Sequence, residues 1–79
     1  MSRYFFHLSI GPAYIHDYEG VELANEGAVR KRAVEDIMAV WKADAVKRQH
    51  PAQCVVVVSN TYGELFRVPF VEAPGVIWK

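Results

Sequence analysis

Apolar residues at Val29, Ala33, Ile37, Val40, Trp41 and Ala45 recur three or four positions apart, the period of a helix with one buried face. No other feature constrains this chain so tightly. The spacing predicts a single helix from Asn25 to about Arg48. Asn25 offers a side-chain oxygen to the free amides of the first turn, and Lys47 and Arg48 complement the negative end. His50-Pro51 stops propagation, because a residue before proline avoids the α region. Gly27, inside the first turn, weakens the start. A helix of about 24 residues is about 36 Å long, whereas a seven-residue strand reaches about 23 Å. An overhang is expected, with Trp41 and Ala45 on the part that needs cover.

Both flanks read as strands. Arg3 to Ile10 is dense in Tyr4, Phe5, Phe6, Leu8 and Ile10, residues that suit a pleated, half-buried surface. Gly11-Pro12 punctuates it, and Ala13-Tyr14-Ile15-His16 returns as a short second strand. Asp17-Tyr18-Glu19-Gly20 is a turn, with Gly20 free to adopt positive φ. Beyond the helix, Gln53 to Ser59 carries the β-branched run Val55–Val58, Asn60-Thr61-Tyr62-Gly63 turns the chain, and Glu64 to Phe70 pairs back. Period two puts Phe66, Val68 and Phe70 on one face and Leu65, Arg67 and Pro69 on the other. Pro69 has no amide to donate, so this strand lies at an edge or ends near there. The expected fold is a two-layer α+β domain over residues 1–73, order ββαββ, with a mostly antiparallel sheet of three to four strands and the helix on one face. A β-grasp-like arrangement, first and last strands adjacent and parallel, fits the same order. Residues 74–79 form an apolar tail.

Three segments resemble a family of short bacterial, rhizobial-type proteins known only as a domain of unknown function. They are Arg3-Tyr4-Phe5-Phe6-His7 at the start, Glu19-Gly20-Val21-Glu22-Leu23 before the helix, and Gly63-Glu64-Leu65 with Val68-Pro69-Phe70 at the end. The resemblance spans roughly residues 2 to 72. It departs at Asn25, where an aspartate cap is usual, at Asn60-Thr61-Tyr62, which replaces an acidic turn, and in the extension after Ala73. What it implies is architecture, with no catalytic residue or cofactor.

Composition narrows the function classes. Nine Lys+Arg balance nine Asp+Glu, so the field that would gather a polyanion is absent and nucleic acid is disfavoured. The lone Cys54 makes no internal disulfide, the N-terminus lacks the apolar core of a secretory signal, and no apolar run approaches a membrane helix. The cytoplasm is the expected setting, without membrane association. No nucleophile elbow, glycine-rich phosphate loop or HExxH pattern occurs, so no enzymatic activity and no cofactor are expected.

A two-residue loop at Gly11-Pro12 sets His7 opposite His16 on one face, a two-ligand seed for zinc or nickel that lacks a third ligand. Asp17, by alternation, points to the other face. Cys54 sits beside valines that do nothing to lower a thiol pKa. Arg30-Lys31-Arg32 fans around the helix as a solvated stretch. Asp44 falls within the apolar stripe and requires a basic or amide partner. Strand-one aromatics, with Arg3 and Arg67 as phosphate contacts, are the alternative single-stranded nucleic-acid surface.

One helix covers one face of a sheet and leaves the other open. Phe5 and His7 fall on one face of strand one and Tyr4, Phe6 and Leu8 on the other, so a large aromatic stays outside either way. Leu65 and alternate valines of the 55–58 run join it. With a hydrophobic content of 52%, this predicts an apolar patch that single chains seldom leave bare. The expectation is a non-enzymatic protein–protein interaction or regulatory module acting as a homodimer, with Phe5, Trp41, Leu65, Val76, Ile77 and Trp78 as interface candidates. The alternatives are single-stranded nucleic-acid binding on the sheet face and weak metal binding through His7 and His16.

Overall fold

The computed structural model describes residues 2–42 and 53–73. Strands β1 (Ser2–Ile10), β2 (Ala13–Ile15) and β3 (Val21–Leu23) precede helix α1 (Glu26–Lys42). Strands β4 (Cys54–Asn60) and β5 (Gly63–Pro69) follow, and a short 3-10 turn covers Phe70–Glu72. The sheet order is β2-β1-β4-β5, with β3 also pairing β1. Every pairing is antiparallel. This is the expected α+β arrangement with the helix packed on the sheet. It has one strand more than the sequence predicts, and the β-grasp-like variant is overturned because β1 lies beside β4, not parallel to β5.

The helical stripe does what its period requires. Val29, Ala33 and Ile37 are buried against Phe6 of β1, Cys54, Val56 and Val58 of β4, and Phe70 and Ala73 beyond β5. Tyr4, Leu8, Ile10, Phe66, Val68, Val40 and Trp41 pack around that cluster. Each large side chain so buried contributes about 1.5–3 kcal/mol. Asn25 caps the helix as its residue type predicts: its Oδ1 accepts from the Ala28 amide at 2.9 Å. The 17 described helical residues span about 26 Å, a fair match to the strands. The expected overhang, with Asp44, Ala45, Lys47 and Arg48, and the stop at His50-Pro51 lie outside the described residues.

Both outer edges of the sheet are broken. On β5, Val58 opposes Phe66 while Ser59 opposes Glu64, which leaves Leu65 as an extra residue. This bulge corrects the two-face reading of Leu65. Instead of joining Arg67 on the open face, it lines a hollow of about 240 Å³ beside the helix with Phe66, Tyr4 and Val29. On the other edge β2 and β3 run in succession along β1. From Ile10 to Tyr4, β1 advances six positions while the opposing chain, from Ala13 to Val21, advances eight. Two extra residues therefore bulge between β2 and β3.

Candidate functional site

The hairpin that builds the site starts at Gly11 and Pro12. Gly11 takes φ 55, a conformation open to glycine at little cost, and Ile10 pairs with Ala13. Counting back through Ser9–Tyr14 and Leu8–Ile15 brings His7 level with His16, and their rings stack at 4.3 Å. Tyr14 lies 5.9 Å from the His7 ring, and Tyr18 meets His16 at 4.5 Å with its ring tilted by 53°. Phe5 lies parallel to His7 on the other side. These rings line the sheet face opposite the helix, and Tyr14 and Tyr18 are 56% and 85% exposed.

Asp17 turns the edge bulge into a defined structure. β2 ends at Ile15, so strand alternation no longer governs Asp17 and the expectation that it points away fails. Its Oδ2 accepts from the Phe6 amide at 3.0 Å, standing in for the missing ladder bond of β1. Its Oδ1 accepts from the amides of Glu19 and Gly20 at 3.2 and 3.1 Å, closing an Asx-type turn. Gly20 is required by the return to β1. It sits at φ 68, where an added Cβ would lie 2.7 Å from the Tyr4 carbonyl oxygen and 2.8 Å from the Phe5 ring.

The Asp17 amide donates to His7 Nδ1 at 2.9 Å. A backbone N–H only donates, so His7 Nδ1 carries no proton and Nε2 must. Nε2 then donates to Ser59 Oγ at 2.9 Å. This settles what the pair can do chemically. A histidine that activates a serine must receive its proton at an unprotonated Nε2; here Nε2 is the donor. His7 is 5% exposed and its pKa is lowered by burial and by the neighbouring His16, against a smaller upward pull from Asp17. Burial alone would raise the Asp17 carboxyl; the amides of Phe6, Gly20 and Glu19, with a lesser contribution from His7, outweigh it and hold the pKa below its ordinary value.

Two hollows flank the 16–20 segment. One of about 490 Å³ lies toward the helix and includes Ile15, Arg32 and Asp36. The other, about 340 Å³, lies over Phe5, His7, Ser59 and Thr61. Both ring nitrogens of His7 are engaged, so a cation there would have to displace the Asp17 amide or the Ser59 hydroxyl. Among the described residues no group of three or more His, Cys, Asp or Glu side chains is arranged to hold a metal ion.

The remaining candidates scatter. Phe5 is half-buried on the open face and Trp41 half-buried against the core, while Leu65 is exposed at the bulge. Val76, Ile77 and Trp78 lie outside the described residues. Arg3 donates to the Glu19 carbonyl at 2.6 Å and to Glu22 at 3.3 Å, and Arg67 makes two hydrogen bonds to Glu64. Burial pushes the Cys54 thiol up, against a smaller pull from the Gly11 amide. Within the basic stretch, Arg30 sits over the Phe66 ring and Arg32 pairs with Asp36. Sequence reading missed Asp17 and Ser59 as members of the His7 cluster; the available signal was aspartate three residues before a turn glycine.

Residues 3–71 match the family described as a domain of unknown function, DUF6894. The chain belongs to that family. No curated protein and no solved structure matches it. No described helix of this DUF6894 protein is long and apolar enough to cross a membrane.

Proposed function

We propose that this DUF6894 chain is a non-enzymatic protein–protein interaction module that acts as a homodimer through its open sheet face. The observation that carries this is the exposed aromatic row of Tyr14 and Tyr18 beside Phe5 and His16, surface that water solvates poorly and a second apolar face would cover. Both edges are interrupted by bulges, a device that discourages strand-to-strand pairing, so the face is the better contact. Formal net charge is zero, and two copies meet without net repulsion. A cytoplasmic setting suits a chain whose one cysteine is buried.

Single-stranded nucleic acid would use the same rings. Arg3 and Arg67, its phosphate contacts, are already directed at carboxylates, which favours a protein partner.

Sedimentation of the full chain over low to high micromolar concentration tests the proposal. A monomer–dimer equilibrium is expected, weakened by at least about tenfold in Tyr14→Ala/Tyr18→Ala, since losing two aromatic contacts at an interface costs more than 1.4 kcal/mol. A chain that stays monomeric at high micromolar concentration, or a dimer indifferent to both substitutions, overturns it.

A further inference from the structure

His7 has two mutually exclusive ways of bonding the segment that lies against it. In the neutral state Nδ1 accepts from the Asp17 main chain, while the Asp17 carboxylate holds the amides of Phe6, Glu19 and Gly20. A proton at Nδ1 sets two N–H donors against each other at a separation that was a hydrogen bond. We propose that His7 is an acid-operated latch: uptake of one proton from solvent at Nδ1 expels the Asp17 amide, draws the Asp17 carboxylate toward the imidazolium, and releases the 16–20 segment from β1.

The carboxylate is the acceptor at hand for the new N–H, and turning it toward the ring pulls its oxygens away from the amides that shape the turn. Segment and ring thus have two bonding patterns selected by one proton, which is what a switch requires. The surroundings set its working point. From β2, His16 stacks on the ring and opposes a second positive charge, with Tyr14 beside it. From the bulge, the Asp17 carboxylate favours charging, and Tyr18 lies beyond His16. β4 presents neutral Val57 and Ser59, and β5 places Arg67, tied to Glu64, opposite Val57. The observed structure is the latched one. Release uncovers Phe5, over which Gly20 closes. The latch belongs to the single chain and does not depend on self-association.

Nitrogen-15 NMR of the full chain tests it. At pH 7.5 His7 should show an unprotonated Nδ1 and a protonated Nε2. As pH falls, exchange of the Asp17 and Phe6 amides, corrected for intrinsic rates, should rise at least about tenfold in step with His7 protonation, while Val56 and Val58 keep their protection. A protonated Nδ1 at neutral pH overturns the proposal, as does Asp17 protection that is unchanged while His7 titrates. His7→Asn, whose amide oxygen can replace Nδ1 as acceptor, should abolish the pH step; a folded His7→Asn chain that retains it is equally fatal. Should that variant fail to fold, the wild-type titration decides. In His16→Asn the step should persist and move to higher pH. Its disappearance there would assign the titration to His16 and sink the latch.

Discussion

His7 on the open face and Val58 on the helix side are both buried, yet different forces hold them. Val58 lies among Phe6, Ile37, Phe70 and other apolar neighbours, where burial is non-directional and any side chain of similar shape would serve. His7 is enclosed by a segment fixed through directed hydrogen bonds from Asp17 and to Ser59, so its burial depends on which atom carries a proton. One face of the sheet is sealed by volume and the other by bonding pattern. Strength and responsiveness are therefore placed on opposite sides of one sheet.

The largest effect should come from the sealed side. Phe70→Ala removes a fully buried ring and is expected to cost about 3–5 kcal/mol, read as a lower denaturation midpoint. A loss below about 1 kcal/mol would mean that the two sides do not differ as argued. Gly20→Ala probes the directed side. Positive φ costs an L-residue about 1–2 kcal/mol, and the Cβ would press on the Tyr4 carbonyl. The expected loss is about 2 kcal/mol, with faster amide exchange confined to Phe6 and residues 17–20. Uniform loss of protection would break the distinction.

The mildest effect is that of pH on global stability. The folded pKa of His7 lies below its ordinary value of 6.5, so below about pH 6.5 the unfolded chain takes a proton that the folded chain resists. Stability should be flat above that pH and fall as pH drops toward the folded value. Asp17, also lowered, adds a second loss below its ordinary value of 3.8 as pH falls through its folded pKa. Denaturant melts from pH 8 to 3 should show the upper step in wild type and in Phe70→Ala, offset but of equal shape. An upper step that vanishes in Phe70→Ala would tie the two faces together.

Much of the sealed side was legible beforehand. The stripe through Val29, Ala33 and Ile37, the Asn25 cap, the valine run and the edge position of Pro69 each follow from a local pattern that has one good solution. The hairpin count that aligned His7 with His16 also held, because a two-residue loop fixes register. The directed side was far less legible. Val21–Leu23 is too short to show a period, the alternation that would give Asp17 a face stops at Ile15, and the one that would give Leu65 a face is broken by the bulge.

What the sequence determined by itself is everything that repetition encodes: one amphipathic helix and strands on both sides of it. Tertiary structure alone decided what interruptions encode. Two extra residues between β2 and β3 let a carboxylate replace a ladder bond and an amide choose the tautomer of His7. Periodic elements are specified by residues near in sequence, which a reader can count. A hydrogen bond between Asp17 and His7, or between His7 and Ser59, joins residues that meet only when strands from distant parts of the chain are in place, and no local pattern announces it.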